Sequence, residues 1–154
     1  LSGLRFLVTG GVRYDGTTKQ LKAPEADEAY LLTYSDNAGS DPRLNIKKLP
    51  GMGAGRVFHT AVTSDYRRVA IIGGFNGLDA LDTDKIVFFD VDNASEMWRL
   101  AGESGNFVGR GGQGGLMQPS GAALLVGGES ALKPKGDDAC GYVELYTPSN
   151  TPIP

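Results

Sequence analysis

Few side chains in this 154-residue chain have the type and surroundings that chemistry needs. His59 is the only histidine and Cys140 is the only cysteine. A nucleophilic cysteine needs a base beside it, and a disulfide within the chain needs a second cysteine. We therefore expect Cys140 to act as a small hydrophobe, with a bond to another chain as the alternative. His59 is expected to be packed and hydrogen-bonded rather than catalytic or metal-bound, and no catalytic residue is predicted.

An acidic loop is the one candidate metal site. Asn76, Asp79, Asp82 and Asp84 are crowded in one short segment, and three carboxylates could hold Ca²⁺ with carbonyls and water. The spacing does not match an EF-hand loop, and turns favour Asp and Asn for conformational reasons. The three aspartates therefore remain weak candidates, and neither a metal nor a cofactor is predicted.

A glycine-rich segment, Gly51 to Arg56, invites comparison with a phosphate-binding loop. Such a loop must lead into a helix N-terminus. The following residues, 57–62, are instead typical of a strand. We expect a flexible turn there, and we expect the glycines of 109–115 to mark a degenerate strand.

Composition sets the broad class of the protein. The chain is 40% hydrophobic with a formal net charge of −3, which suits one ordinary folded domain. Nucleic-acid binding needs a basic face, which this charge balance does not provide. The longest apolar run is strand-length, far short of the ~18 residues of a membrane span. No nucleic-acid partner and no membrane span are predicted.

The elements that would position these side chains follow from an internal repeat. Three apolar segments each end in a glycine pair, and the pairs recur at similar intervals along the chain. A polar loop and an aromatic, β-branched strand follow each pair, as strands prefer. The pairs are Gly10-Gly11, Gly73-Gly74 and Gly127-Gly128.

The repeat also extends upstream of the glycine pairs. Arg56 and Arg110 each follow a glycine, and Arg56 precedes Gly73 by the same interval as Arg110 precedes Gly127. The predicted unit has four strands, complete at 55–100. The unit at 1–50 lacks its first strand, the unit at 109–148 lacks its last, and 149–154 form a proline-rich tail.

These residues resemble the kelch repeat, whose pattern is an arginine, a histidine-containing strand, a glycine pair, an aromatic strand and a later tryptophan. The middle unit carries the whole pattern, and residues 143–148 look like the bacterial variety. The third unit has Gln113 where histidine is expected. The matching residues of the middle unit are Arg56, His59, Gly73, Gly74, Phe88, Phe89 and Trp98.

The resemblance implies an all-β, kelch-type β-propeller built from four-stranded antiparallel blades, of which this chain supplies about three. Kelch-type copper oxidases hold copper with two histidines and two tyrosines, and a single histidine cannot build that site. Propellers close with four to eight blades. The resemblance therefore implies a partial propeller or half of a six-bladed ring, completed by a second copy or by the remainder of a propeller. It also favours an extracytoplasmic or cell-surface location.

The loops that follow the glycine pairs are the predicted binding surface, because long loops are often functional. We expect a module that binds protein or glycan there and that is not itself an enzyme. The alternative is part of a propeller hydrolase, isomerase or oxidase whose site forms only in the closed ring. The candidate partner-binding residues are Arg13, Tyr14, Asp15, Arg56, Phe75, Asn76, Asp79, Arg110, Lys133 and Lys135.

The strand assignments also predict which side chains are buried. Trp98 should pack between sheets, and the outer faces of the end units should expose apolar side chains. Leu125 appears in both predicted sets, as a core residue of its own unit and as part of an end face. The predicted core is Ile71, Ile72, Val87, Phe89, Leu125, Val126 and Val143, and the predicted exposed residues include Leu7, Leu31, Leu125 and Leu145.

Overall fold

The computed structural model describes residues 4–22, 28–35, 43–63, 68–76, 79–80, 86–92, 98–100, 109–120, 122–129 and 143–146. Within these ranges the chain is all-β, and it has no helix that could cross a membrane. The strands are β1 Leu4–Thr9, β2 Arg13–Asp15, β3 Gln20–Lys22, β4 Ala29–Ser35, β5 Arg43–Lys48, β6 Thr60–Thr63, β7 Arg68–Ile72, β8 Phe75–Asn76, β9 Asp79–Ala80, β10 Val87–Asp90, β11 Arg99–Leu100, β12 Gly114–Met117, β13 Ala123–Val126 and β14 Val143–Tyr146.

Three antiparallel sheets contain most of these strands. The first sheet has the order β1-β4-β5, the middle sheet β6-β7-β10-β11, and the third sheet β12-β13-β14. Two hairpins, β2-β3 and β8-β9, follow the first and middle glycine pairs. The predicted all-β class is confirmed. The stretch predicted as one strand at 57–62 is shorter, because β6 begins at Thr60 and Val57 forms an isolated bridge with Phe75.

The middle sheet lies between the other two. One apolar cluster joins its β7 and β10 to the first sheet through Leu31, Ile71 and Phe89. A second cluster joins its opposite face to the third sheet through Ile72 and Leu125. A strand that is covered on both faces reads as a continuous apolar run rather than an alternating one, which explains the sequence of β7.

Burial confirms five of the seven predicted core residues: Ile71, Ile72, Val87, Phe89 and Leu125. The other two are wrong, because Val126 is 48% exposed and Val143 is 64% exposed. These two residues lie directly opposite each other in the β13–β14 register. Successive side chains of a strand point to opposite faces, so the inward position of Leu125 sends Val126 outward.

The predicted exposed set is also only partly right. Leu145 is exposed as expected, whereas Leu31 and Leu125 are buried and Leu7 is half-buried. The expectation failed for these three leucines because they lie on the faces that meet the middle sheet. The exposed apolar residues of the first sheet are their neighbours along the strands.

Trp98 packs as the repeat predicts. It joins the cluster between the first and middle sheets, with its ring centroid 5.1 Å from that of Phe89 and the two planes tilted by 45°. Its indole Nε1–H donates a hydrogen bond of 2.7 Å to the carbonyl oxygen of Pro50. An indole that packs its ring and satisfies its N–H is a common arrangement for a half-buried tryptophan.

Candidate functional site

The glycine pairs lie where consecutive sheets meet. Every glycine of the three pairs has a positive φ, from 60° at Gly10 to 114° at Gly11. Residues with a Cβ rarely adopt this conformation. The third pair repeats the geometry of the second, with φ of 70° and 94° against 63° and 97°.

The first two pairs make the same contact with the next sheet. The amide of Gly11 donates to the carbonyl oxygen of Arg56 over 2.9 Å, and the amide of Gly74 donates to that of Arg110 over 2.8 Å. A Cβ on Gly10 would overlap the Arg56 carbonyl, and one on Gly73 would overlap the Arg110 carbonyl. Each junction therefore needs both features of the repeat, a glycine pair and an arginine-bearing turn.

The side chains of Arg56 and Arg110 are fully buried. Arg56 donates from Nη1 to the carbonyl oxygen of Gly73 over 3.0 Å, which ties its turn to the glycine pair of its own sheet. Nη2 of Arg110 lies 3.1 Å from a carboxylate oxygen of Glu144. Arg56 and Arg110 were predicted as partner-binding residues, but both side chains are buried inside the junctions and neither is exposed on the loop surface.

Phe75 differs from its predicted position in the same way. Its side chain is buried, and its backbone forms a bridge with Val57, with each amide donating to the other's carbonyl. Its ring lies against Gly111, where an added Cβ would overlap the ring edge. Phe75 therefore packs the turn of the third sheet against the middle sheet instead of facing solvent.

His59 and Gln113 occupy equivalent places in the two junctions. His59 Nε2 lies 2.8 Å from Thr9 Oγ1, and Gln113 Nε2 donates to the carbonyl oxygen of Ile72 over 2.9 Å. Burial lowers the pKa of His59 below its ordinary 6.5, and the positive charge of Arg56 lowers it further. The histidine is packed and hydrogen-bonded, as expected from the sequence.

The three sheets pack face to face as a stack, and the end of this stack that carries the hairpins is the candidate binding surface. The β2-β3 and β8-β9 hairpins follow glycine pairs that are joined through the arginine turns, so both leave the stack at this hairpin end. Tyr14 is 61% exposed, and Asn76 is exposed. Asp15 accepts hydrogen bonds from the amides of Thr17 and Thr18, which stabilise the β2-β3 turn.

The other predicted binding residues lie in two strands and in segments outside the described residues. Arg13 lies in β2 and Asp79 in β9, where the backbone is described. Lys133 and Lys135 lie outside the described residues, as do Cys140 and the metal candidates Asp82 and Asp84. Within the described ranges, no group of three His, Cys, Asp or Glu side chains could hold a metal ion.

Phe58 is a candidate that the sequence prediction missed. Its side chain is 67% exposed although its backbone has a φ of 55°. Its carbonyl oxygen accepts a 2.7 Å hydrogen bond from the amide of Gly112, which follows Arg110 as Phe58 follows Arg56 and has a φ of 72°. The sequence did contain a signal for this position: the third unit has a glycine, Gly112, where the middle unit has Phe58. An exposed aromatic residue with a strained backbone is a reason to look for function.

Comparison with known proteins supports the fold and leaves the family open. The chain matches no protein-family model and no curated protein. A solved structure described as a novel fungal alcohol oxidase with catalytic diversity among the AA5 family, in complex with copper, matches 96% of this chain with a TM-score of 0.50 and 13% sequence identity. The match covers 42% of that structure, so the chain spans less than half its length. At this identity the likeness concerns the all-β fold alone.

Proposed function

We propose that this chain is a kelch-type propeller segment that binds protein or glycan through the hairpin end of its sheets. The observation that carries the proposal is the junction that occurs twice, in which a glycine-pair amide donates to the carbonyl of a buried arginine in the next sheet. A contact that advances by one sheet at a time is the expected basis of a radial array of sheets.

Binding is argued from what the hairpin end exposes. Tyr14 and Phe58 offer aromatic surface, and Asn76 offers a polar group that can donate and accept hydrogen bonds. Aromatic side chains are enriched where proteins bind, since they give a large contact area at a small entropic cost. Their flat faces also suit the apolar faces of sugar rings. The buried arginines support this surface by fixing the turns below it.

The second candidate is part of a propeller enzyme, a hydrolase, an isomerase or an oxidase, whose site is completed in the closed ring. The fold similarity to a copper-bound alcohol oxidase is the observation that favours it. The single histidine of this chain cannot supply the two histidines that the kelch-type copper site uses. In this alternative the chain would contribute the scaffold and part of the site.

The two candidates are separated by a binding experiment on defined ligands. The purified chain is applied to a microarray of defined oligosaccharides, and hits are quantified by isothermal titration calorimetry. We expect Tyr14→Ala and Phe58→Gly to weaken binding at least tenfold. Arg43→Ala, in an exposed position at the opposite end of the first sheet, serves as the matched control and should leave binding unchanged.

Two results would contradict the binding proposal for glycans. One is an array with no oligosaccharide bound by the folded chain. The other is binding that the Tyr14 and Phe58 variants leave intact. Chemical conversion of an oligosaccharide by the chain, measured by mass spectrometry, would instead favour the enzyme alternative.

A further inference from the structure

The outer face of the first sheet is a continuous apolar surface. The cross-strand register places Leu4, Tyr34 and Leu44 in one row and Phe6, Leu32 and Ile46 in the next. Leu4, Phe6, Leu44 and Ile46 are each more than half exposed, and the side chains from β4 are partly exposed. Large exposed apolar patches on soluble proteins usually mark an interaction surface.

The third sheet has a matching surface at the other end of the stack. Leu116, Leu124 and Leu145 form one row, and Gly114, Val126 and Val143 form the next. Leu116, Val143 and Leu145 are each more than half exposed, and Val126 is nearly so. Both ends of the three-sheet stack are therefore apolar, whereas the two faces of the middle sheet are covered.

The spacing of the repeat shows which internal contact each of these two outer faces corresponds to. Together the two faces correspond to the two sides of one contact between neighbouring sheets. When the first two units are aligned on their glycine pairs, Phe6 and Val8 match Val69 and Ile71. Val69 and Ile71 pack in the cluster between the first and middle sheets. The outer face of the first sheet is thus the side on which a sheet meets the preceding one.

The same comparison assigns the outer face of the third sheet. Aligned on the glycine pairs, Leu124 and Val126 match Ala70 and Ile72, which pack in the cluster between the middle and third sheets. This face is the side on which a sheet meets the following one. The outer face of the first sheet and the outer face of the third sheet are therefore expected to fit each other, as the facing surfaces of neighbouring sheets within the chain do.

The first sheet can fill this role without a strand equivalent to β6. In the described residues, the middle sheet contributes to the cluster with the first sheet from β7, β10 and the segments next to β10 and β11, with no residue from β6. Phe6 on β1 and Leu32 on β4 occupy strands equivalent to β7 and β10. The first sheet therefore already has the strands that build such an interface.

We propose that the first sheet of one copy packs against the third sheet of a second copy, and that the reciprocal contact closes a two-fold pair of six sheets. The inference rests on the proposed function, because it names the partner that completes the propeller. Two identical head-to-tail contacts within one pair cover all four end faces and satisfy two-fold symmetry. A pair built from like faces would instead place first sheet on first sheet and leave the third sheets bare.

Sedimentation velocity on charge variants tests this arrangement. At tens of micromolar we expect the wild-type chain to sediment at twice its 16.2 kDa mass. Phe6→Glu and Val126→Lys should each be monomeric, since each places a charge at one of the two faces. An equal mixture of the two variants should form pairs again, because one junction is unaltered and the other brings opposite charges together.

The controls separate misfolding from lost pairing. Thr63→Glu, on the exposed side of a middle-sheet strand, should stay paired. Circular dichroism should show the same β-sheet spectrum for all variants. A wild-type monomer, a paired Phe6→Glu variant, a mixture that stays monomeric, or a series of sizes that grows with concentration would each overturn the proposal. A monomer that still binds oligosaccharide through Tyr14 refutes the pairing alone, and a pair that binds none refutes the proposed function alone.

Discussion

Gly73→Ala is the substitution that tests the junction most directly. Gly73 has a φ of 63°, so an alanine there adopts the left-handed conformation at a cost of about 1–2 kcal/mol. Its Cβ would overlap the carbonyl of Arg110 and lie 2.7 Å from Gln113 Nε2. The backbone carbonyl cannot swing away as a side chain does, so the third sheet must shift relative to the middle sheet.

That shift disturbs two hydrogen bonds across the junction. The amide of Gly74 donates to Arg110 over 2.8 Å, and Gln113 donates to Ile72 over 2.9 Å. Forced displacement of a packed region costs about 1–3 kcal/mol, and each lost hydrogen bond costs about 0.5–1.5 kcal/mol. With the backbone term and both hydrogen bonds included, we expect Gly73→Ala to lower the free energy of unfolding by about 3–8 kcal/mol.

Gly112→Ala is the matched control. Gly112 has a φ of 72°, and an added Cβ there meets no atom within 4 Å. This variant has the backbone cost without the collision, and it should lose about 1–2 kcal/mol. The assay is urea unfolding followed by circular dichroism, at one protein concentration because pairing would make stability depend on concentration. Equal losses for the two variants would refute the role assigned to the junction.

Three further predictions concern single side chains. Phe89→Ala should cost about 3–5 kcal/mol in urea unfolding, because the ring is fully buried beside Trp98; a loss under about 1 kcal/mol would contradict its core position. His59→Gln should flatten the pH dependence of stability. The lowered pKa makes folded His59 bind a proton less readily than unfolded His59, so stability should fall as the pH drops below about 6.5 and keep falling until the folded pKa is passed. Thermal melts between about pH 7.5 and 5.5 check this, and an unchanged slope in the variant would refute it. Phe58→Gly should raise stability by about 0.5–1 kcal/mol, because glycine relieves the positive φ at an exposed position; a clear loss would mean that the ring contributes to packing.

The sequence predicted the strands well because the signals are local. A glycine pair after an apolar run marks the end of β1, β7 and β13, and the aromatic runs that follow mark β4, β10 and β14. The equal spacing of Arg56 and Arg110 from their glycine pairs predicted equivalent roles for the two residues. The two matching junctions agree with that expectation, but the burial of the two arginine side chains did not follow from their spacing.

Arg56 and Arg110 show that a position in a predicted loop does not determine whether a side chain is exposed or buried. Arg56 and Arg110 were predicted to lie on the binding surface, and a charged residue beside a turn is most often exposed. Both are fully buried, because their carbonyls accept the amides of the preceding glycine pairs and draw the turns into the junctions. Contacts between residues far apart in the chain decide this, and no local pattern records them.

By itself, the sequence determined most strands of the three main sheets, their order in each repeat and the glycine pairs that follow them, because these depend on neighbouring residues and backbone conformation. The β2-β3 and β8-β9 hairpins were predicted only as polar loops. Only the tertiary structure decided which face of an end sheet points inward. Side chains alternate along β14, so Val143 and Leu145 share one face and Glu144 and Tyr146 share the other. The sequence prediction put Val143 in the core and Leu145 on an exposed surface, although the two residues share a face. In the structure Val143 and Leu145 are both exposed, Tyr146 is buried, and Glu144 lies 3.1 Å from Arg110. A buried guanidinium is costly without an anion beside it, so the arginine that enters the junction brings the glutamate face inward.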